Sequence, residues 1–142
     1  MTIVVRATSP KVPICGNPEG PWLTFCNSLA CDFSMWNLQK KAFSKDFHIL
    51  QFDTRGHGST SYSDGDYDFT LLANDVIALW DELKIRTSNF IGLSLGGTTG
   101  YVLAKNYPNR LLKIVLCDCR LDAPKEYIEG WKQRRNAVSK GG

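Results

Sequence analysis

Gly92-Leu-Ser-Leu-Gly96 is a G-x-S-x-G pentapeptide lying between an apolar run and a stretch with helical character. A strand that turns at once into a helix forces the serine between them into a strained conformation. Only hydrogen-sized side chains at positions minus two and plus two let the chain pass. Ser94 would then project its hydroxyl outward as a nucleophile. The free backbone N–H groups and positive dipole end of the following helix would face any oxyanion formed there. The chemistry this spacing suggests is acyl transfer, with Ser94 attacking a carbonyl and the Leu95 amide stabilising the charge.

Asn27-Ser28-Leu29 directly follows another apolar run. A loop at the carboxyl edge of a sheet there can aim the Leu29 amide at Ser94 and complete an oxyanion hole. Spacing alone fits an ordinary strand-to-helix loop equally well. A third element, Asp53-Thr-Arg-Gly-His-Gly58, also follows an apolar run, with Arg55 free to pair with Asp53 or with backbone carbonyls. His57 invites a catalytic reading, but where a G-x-S-x-G serine is the nucleophile the order is serine, acid, histidine. His48 and His57 both precede Ser94, so His57 is expected to be structural. Cys117 and Cys119 share a face if their segment is a strand. Without nearby His or further Cys they read as core or cleft lining rather than a metal site.

These residues need elements to hold them. Near-continuous apolar runs at Trp22–Cys26, Phe47–Phe52, Asn89–Leu93 and Leu111–Cys117 predict strands of a parallel sheet covered on both faces. Between the second and third, Leu72, Val76, Leu79 and Leu83 form the stripe of an amphipathic helix, with Thr70 as its expected N-cap. Residues 34–45 and 95–106 read as two further crossover helices, and Pro108-Asn109 turns the chain into the fourth strand. A last helix carries Tyr127, Trp131, Arg134 and Val138 on one stripe, and Ile3–Val5 is a possible short strand.

The 142 residues, 43% hydrophobic and 22% charged, have globular proportions that exclude disorder and suit one ordinary domain or a piece of a larger one. A net charge of +3 without a basic patch argues against nucleic acid as partner. No stretch approaches the roughly 18 apolar residues of a membrane span, so no membrane partner is expected. Five cysteines without a CxxC pair or a secretory leader fit reduced thiols in a cytoplasmic protein.

The segments FCNS, SMW, FDTRGHG, IGLSLGG and IVLCD, in that order, resemble the α/β-hydrolase superfamily, and more narrowly the 3-oxoadipate enol-lactonases. The narrower likeness rests on Asn27-Ser28 in place of the usual HG, on the DTRGHG wording, and on a lid-opening stretch from Trp131 to Gly142. It covers roughly residues 20–142. The resemblance implies an α/β fold, a mostly parallel sheet with helices on both faces, interrupted after its sixth strand and the start of the lid. Residues 1–121 would be the N-terminal part of the core, and 122–142 the start of the lid.

The same resemblance implies hydrolysis of an enol-lactone through an acyl-serine intermediate, with no metal or organic cofactor. Ser28, Trp131 and Arg134 become candidate substrate contacts, Arg134 for a substrate carboxylate, although a solvent-facing lid arginine fits as well. In this family the acid and histidine follow the lid, so the chain reads as an N-terminal fragment nearly inert alone. Asp118, at the end of the sixth strand, is the alternative acid position. The rival readings are an esterase or carbon–carbon bond hydrolase of the same superfamily, and a non-catalytic pseudoenzyme. A dehalogenase would need aspartate at position 94. The oligomeric state is not legible.

Overall fold

The computed structural model describes residues 12–140. Five strands, β1 (Ile14–Gly16), β2 (Trp22–Cys26), β3 (His48–Gln51), β4 (Ser88–Leu93) and β5 (Leu111–Cys117), form one sheet in the order β1-β3-β2-β4-β5. All neighbours are parallel except β1, which runs antiparallel to β3 with Cys15 opposite Ile49. The mostly parallel sheet is the one the apolar runs predict. What the resemblance counts as the sixth strand is β5, and the Ile3–Val5 segment lies outside the described residues.

The order explains where the helices go. From β2 the chain moves one way to β3, then back across β2 to β4, and on in the same direction to β5. Right-handed crossovers therefore put the first connection on one face and the next two on the other. Accordingly α1 (Asn37–Phe43), preceded by a 3-10 turn at Phe33–Trp36, covers one face, and α2 (Phe69–Glu82) and α3 (Leu95–Asn106) cover the opposite one. The predicted helix over 34–45 is thus two pieces. Asp32 caps the 3-10 turn by accepting from Ser34 N–H at 2.8 Å, and the Ser34 hydroxyl together with this N–H holds its carboxyl below the usual range.

The strands divide their side chains between two cores with period two. Leu23, Phe25 and Ile49 meet Trp36 on the α1 face, with the Phe25 and Trp36 rings stacked at 4.8 Å. Cys26, Leu50, Phe52 and Phe90 meet Ala73, Val76, Leu79, Trp80 and Leu103 on the other. Each of the large side chains so buried contributes roughly 1.5–3 kcal/mol relative to exposure.

The α2 stripe of Leu72, Val76 and Leu79 is buried, with Leu83 packed at its margin. Its N-cap is Asp68, not Thr70: the Asp68 carboxylate accepts from Leu71 N–H at 2.7 Å, and Thr70 lies inside the first turn. Asp and Thr both cap well, so side-chain type alone could not decide between positions two residues apart. A final helix, α4 (Lys125–Ser139), buries none of its residues. Among the described residues no helix is long and apolar enough to cross a membrane.

Candidate active site

β2 and β4 lie side by side, and the connections that leave their carboxyl ends run in opposite directions, one to β3 and the other to β5, so a crevice opens between them. The loops that follow β2, β4 and β5 meet in it. Ser94, at the β4–α3 junction, has φ 52° and ψ −108°, the strained conformation the pentapeptide predicts. The neighbouring glycines have no alternative. A Cβ on Gly92 would strike Gly96 O and sit 2.8 Å from Gly97 N, and one on Gly96 would strike Cys26 O and sit 2.8 Å from Asn27 O. Those obstacles are backbone and cannot yield. Gly97 is equally constrained, since its Cβ would sit 2.6 Å from Cys119 Cβ.

Two backbone hydrogen bonds hold the turn from either side. Ser94 N–H donates to Cys117 O at 2.9 Å, and Gly96 N–H donates to Asn27 O at 3.0 Å. The elbow is thereby fastened to the ends of both β5 and β2. The Ser94 side chain makes no cap bond to α3, which leaves its hydroxyl available.

The loop after β2 is anchored by a side chain the sequence did not single out for this task. Asn27 is fully buried; its Nδ2 donates to Phe52 O and its Oδ1 accepts from Trp36 Nε1, both at 3.0 Å. Ser28 N–H meets Met35 Sδ at 3.4 Å. Beneath the loop, burial pushes the Cys26 thiol up to about 12, so this cysteine is no nucleophile.

Asp53 continues the scaffold, its carboxylate accepting from Phe33 N–H at 2.8 Å and Ser59 N–H at 3.2 Å. Arg55 does not pair with Asp53 as the sequence allowed. It forks onto Asp75 of α2, at 2.7 and 2.5 Å, and donates to Ser63 Oγ at 2.7 Å. The hydrogen bonds that the guanidinium donates to Asp75 raise its proton affinity further. His57 joins the same lock, with Nδ1 3.1 Å from Arg55 O, and His48 stacks on Trp22 at 3.8 Å.

Around the elbow lies a cleft of about 90 Å³ lined by Leu29, Ser94, Leu95, Thr98, Asp118, Cys119, Arg120, Tyr127 and Trp131. Of the residues singled out by sequence, it gathers Ser94, Leu29, Leu95, Asp118 and Trp131, while Ser28 and Arg134 do not line it. Neither histidine does so either. Asp118 has φ 43°, a second strained residue at the same crevice. Cys119, read from the sequence as core or cleft lining, and Tyr127 of the last-helix stripe also line it, and Thr98 and Arg120 are additions. The signal for Arg120 was available: it follows directly on a parallel strand's carboxyl end, where such crevices form. A larger hollow of about 530 Å³, lined by Asp81, Lys84, Arg86 and Arg110 among others, sits by the starts of β4 and β5 and contains no nucleophile.

A family model described as "alpha/beta hydrolase fold" matches residues 21–142. The chain is 35% identical over 127 residues to 3-oxoadipate enol-lactonase 2 of Acinetobacter baylyi, covering 89% of this chain and 47% of that one. Among solved structures, a hydrolase from Pseudomonas aeruginosa superposes with TM-score 0.86 at 35% identity, over 92% of this chain and 48% of that one. The enol-lactonase from Burkholderia xenovorans gives 0.79 at 39% identity, over 87% and 49%. The chain thus spans about half the length of the relatives it matches.

Proposed function

The chain belongs to the alpha/beta hydrolase fold family, and from that premise we propose that it carries the nucleophile of a serine hydrolase acting on a carboxylic ester or lactone, with an enol-lactone as the preferred substrate. The observation that carries the reading is the Ser94 elbow at φ 52° in one cleft with Leu29 and Leu95. The substrate class is supported by the likeness to two enol-lactonases.

In this reading Ser94 Oγ attacks the carbonyl carbon as a base takes its proton, and the tetrahedral oxyanion lies against the Leu29 and Leu95 N–H groups. Collapse breaks the ring C–O bond. The enolate so released takes, at carbon, the proton that the base removed from Ser94 and becomes a ketone, still joined to Ser94 through the acyl group. Water then attacks the acyl-serine, returns the proton to Ser94, and frees the acid. Binding energy comes from the cleft walls, with Trp131 and the rest of α4 acting as the opening of a lid over the core formed by residues 1–121.

In this reading the base is a group other than His48 or His57. His48 and His57 are the chain's histidines, and both are engaged away from the cleft. Asp118 stands by as the alternative acid for such a base. A cytoplasmic setting suits the five free cysteines.

Reaction with p-nitrophenyl acetate, followed by mass spectrometry of the intact protein, tests this reading. The chain alone should acquire acetyl slowly, added imidazole should accelerate the transfer as a surrogate base, and Ser94→Ala should acquire none at that position. Rapid turnover without added base, or acetyl on another residue in the wild type, would overturn it.

A further inference from the structure

We propose that Arg120 is the specificity-determining residue of the Ser94 cleft, selecting ester or lactone substrates that bear a carboxylate, and that Asp122 occupies its guanidinium in the free protein. The proposal rests on the hydrolase reading of Ser94 and extends it to substrate charge.

Among the described residues that line the cleft, Arg120 is the one cation. Its backbone is pinned to the catalytic helix, since Thr98 Oγ1, one turn from Ser94, donates to Arg120 O at 3.1 Å. Its guanidinium lies over the Tyr127 ring at 5.2 Å. Cation–π contact and backbone anchor together orient the fork without using its hydrogen-bond donors.

The donors are held by a weak occupant. Nε and Nη2 converge on a single oxygen of Asp122, at 3.2 and 3.0 Å, and the two side chains are 50% and 69% exposed. An exposed pair of this kind contributes little and exchanges readily. A substrate carboxylate can engage the fork through both oxygens, the geometry guanidinium favours. Asp122 therefore acts as an internal stand-in for the anion.

Arg134, the guanidinium the sequence offered for this role, lies over Trp131 at 4.7 Å and does not line the cleft. The carboxylates near Arg120 are Asp122, its ion-pair partner, and Asp118, which lines the same cleft. With Arg120 neutralised, two carboxylates would remain there to repel an anion. The preference should thus reverse, not merely fade.

Levulinate and its uncharged methyl ester are suitable probes, titrated into the 142-residue chain while the indole N–H resonance of Trp131 is followed. Levulinate should bind on the order of ten-fold tighter than the ester. Asp122→Asn should tighten levulinate several-fold, Arg120→Gln should reverse the preference, Arg120→Lys should restore part of it, and Arg134→Gln should leave it intact. Equal binding of the two probes to the wild type, an unchanged preference in Arg120→Gln, or its loss in Arg134→Gln would overturn the proposal. Ser94→Ala should keep the preference, so a failure of the nucleophile reading would appear in the acetyl-transfer experiment and not here.

Discussion

Asn27 accepts the Gly96 N–H at 3.0 Å through its backbone carbonyl, so the loop after β2 and the first turn of α3 are joined at the point where Leu29 and Leu95 enter the cleft. The same residue spends its side chain on Phe52 O and Trp36 Nε1, both at 3.0 Å. One buried residue thus ties together two strand ends, the 3-10 turn and the elbow.

Asn27→Ala deletes both side-chain partners and strands the Trp36 indole N–H and the Phe52 carbonyl in the interior. Unsatisfied buried groups of this kind cost roughly 1–3 kcal/mol each. The urea midpoint should fall accordingly, and Trp36→Phe in the same background should recover part of the loss by removing one orphaned donor.

Gly96→Ala should be far worse than an average helix Gly→Ala change, which is normally favourable. The added Cβ meets the Cys26 and Asn27 carbonyls, neither of which can move without opening the sheet. Destabilisation near the upper end of the overpacking range, about 3 kcal/mol, is expected by denaturant titration. A stabilised Gly96→Ala protein would contradict the close approach described here.

Ser94→Gly separates strain from chemistry. Glycine relaxes at φ 52°, where a serine is strained, so the variant should gain about 1 kcal/mol in unfolding free energy while losing all acetyl transfer at that position. A loss of stability would mean the backbone there is not strained.

Arg55→Ala should cost about 3–5 kcal/mol, since it leaves the Asp75 carboxylate buried without its partner. Replacing both members with apolar residues, as in Arg55→Met with Asp75→Leu, should cost much less. Equal losses in the single and double variants, measured by thermal or urea unfolding, would rule out an uncompensated charge as the cause.

Alkaline pH should find the protein's weak side. The Cys26 thiol has an ordinary value of 9.0 and is pushed up to about 12 by burial, so its folded-state pKa lies above its unfolded one. Its stabilising contribution is complete below pH 9 and is lost as the pH rises from there toward 12, where only the unfolded chain ionises readily. Cys26→Ala should flatten the fall of stability above pH 9, and an unchanged slope would remove Cys26 as its source.

The local sequence determined the elements and the elbow for reasons that are themselves local. Apolar runs of strand length flanked by turn residues leave little choice but a parallel sheet, and β5 occupies Leu111–Cys117 as its run indicates, but none of its residues is buried and Leu112 and Val115 are exposed, so the sheet is not covered on both faces at that edge. Glycines at 92 and 96 around Ser94 encode a backbone conformation that φ 52° then displays. Partners distant in the chain were a different matter. Arg55 meets an aspartate twenty residues on because α2 packs over the loop, and no spacing rule distinguishes that aspartate from Asp53. Likewise Arg120, and not Arg134, reaches the cleft. The choice depends on how the chain leaves β5 and how α4 is turned over Ser94, a relation between elements that side-chain periodicity within one helix does not contain.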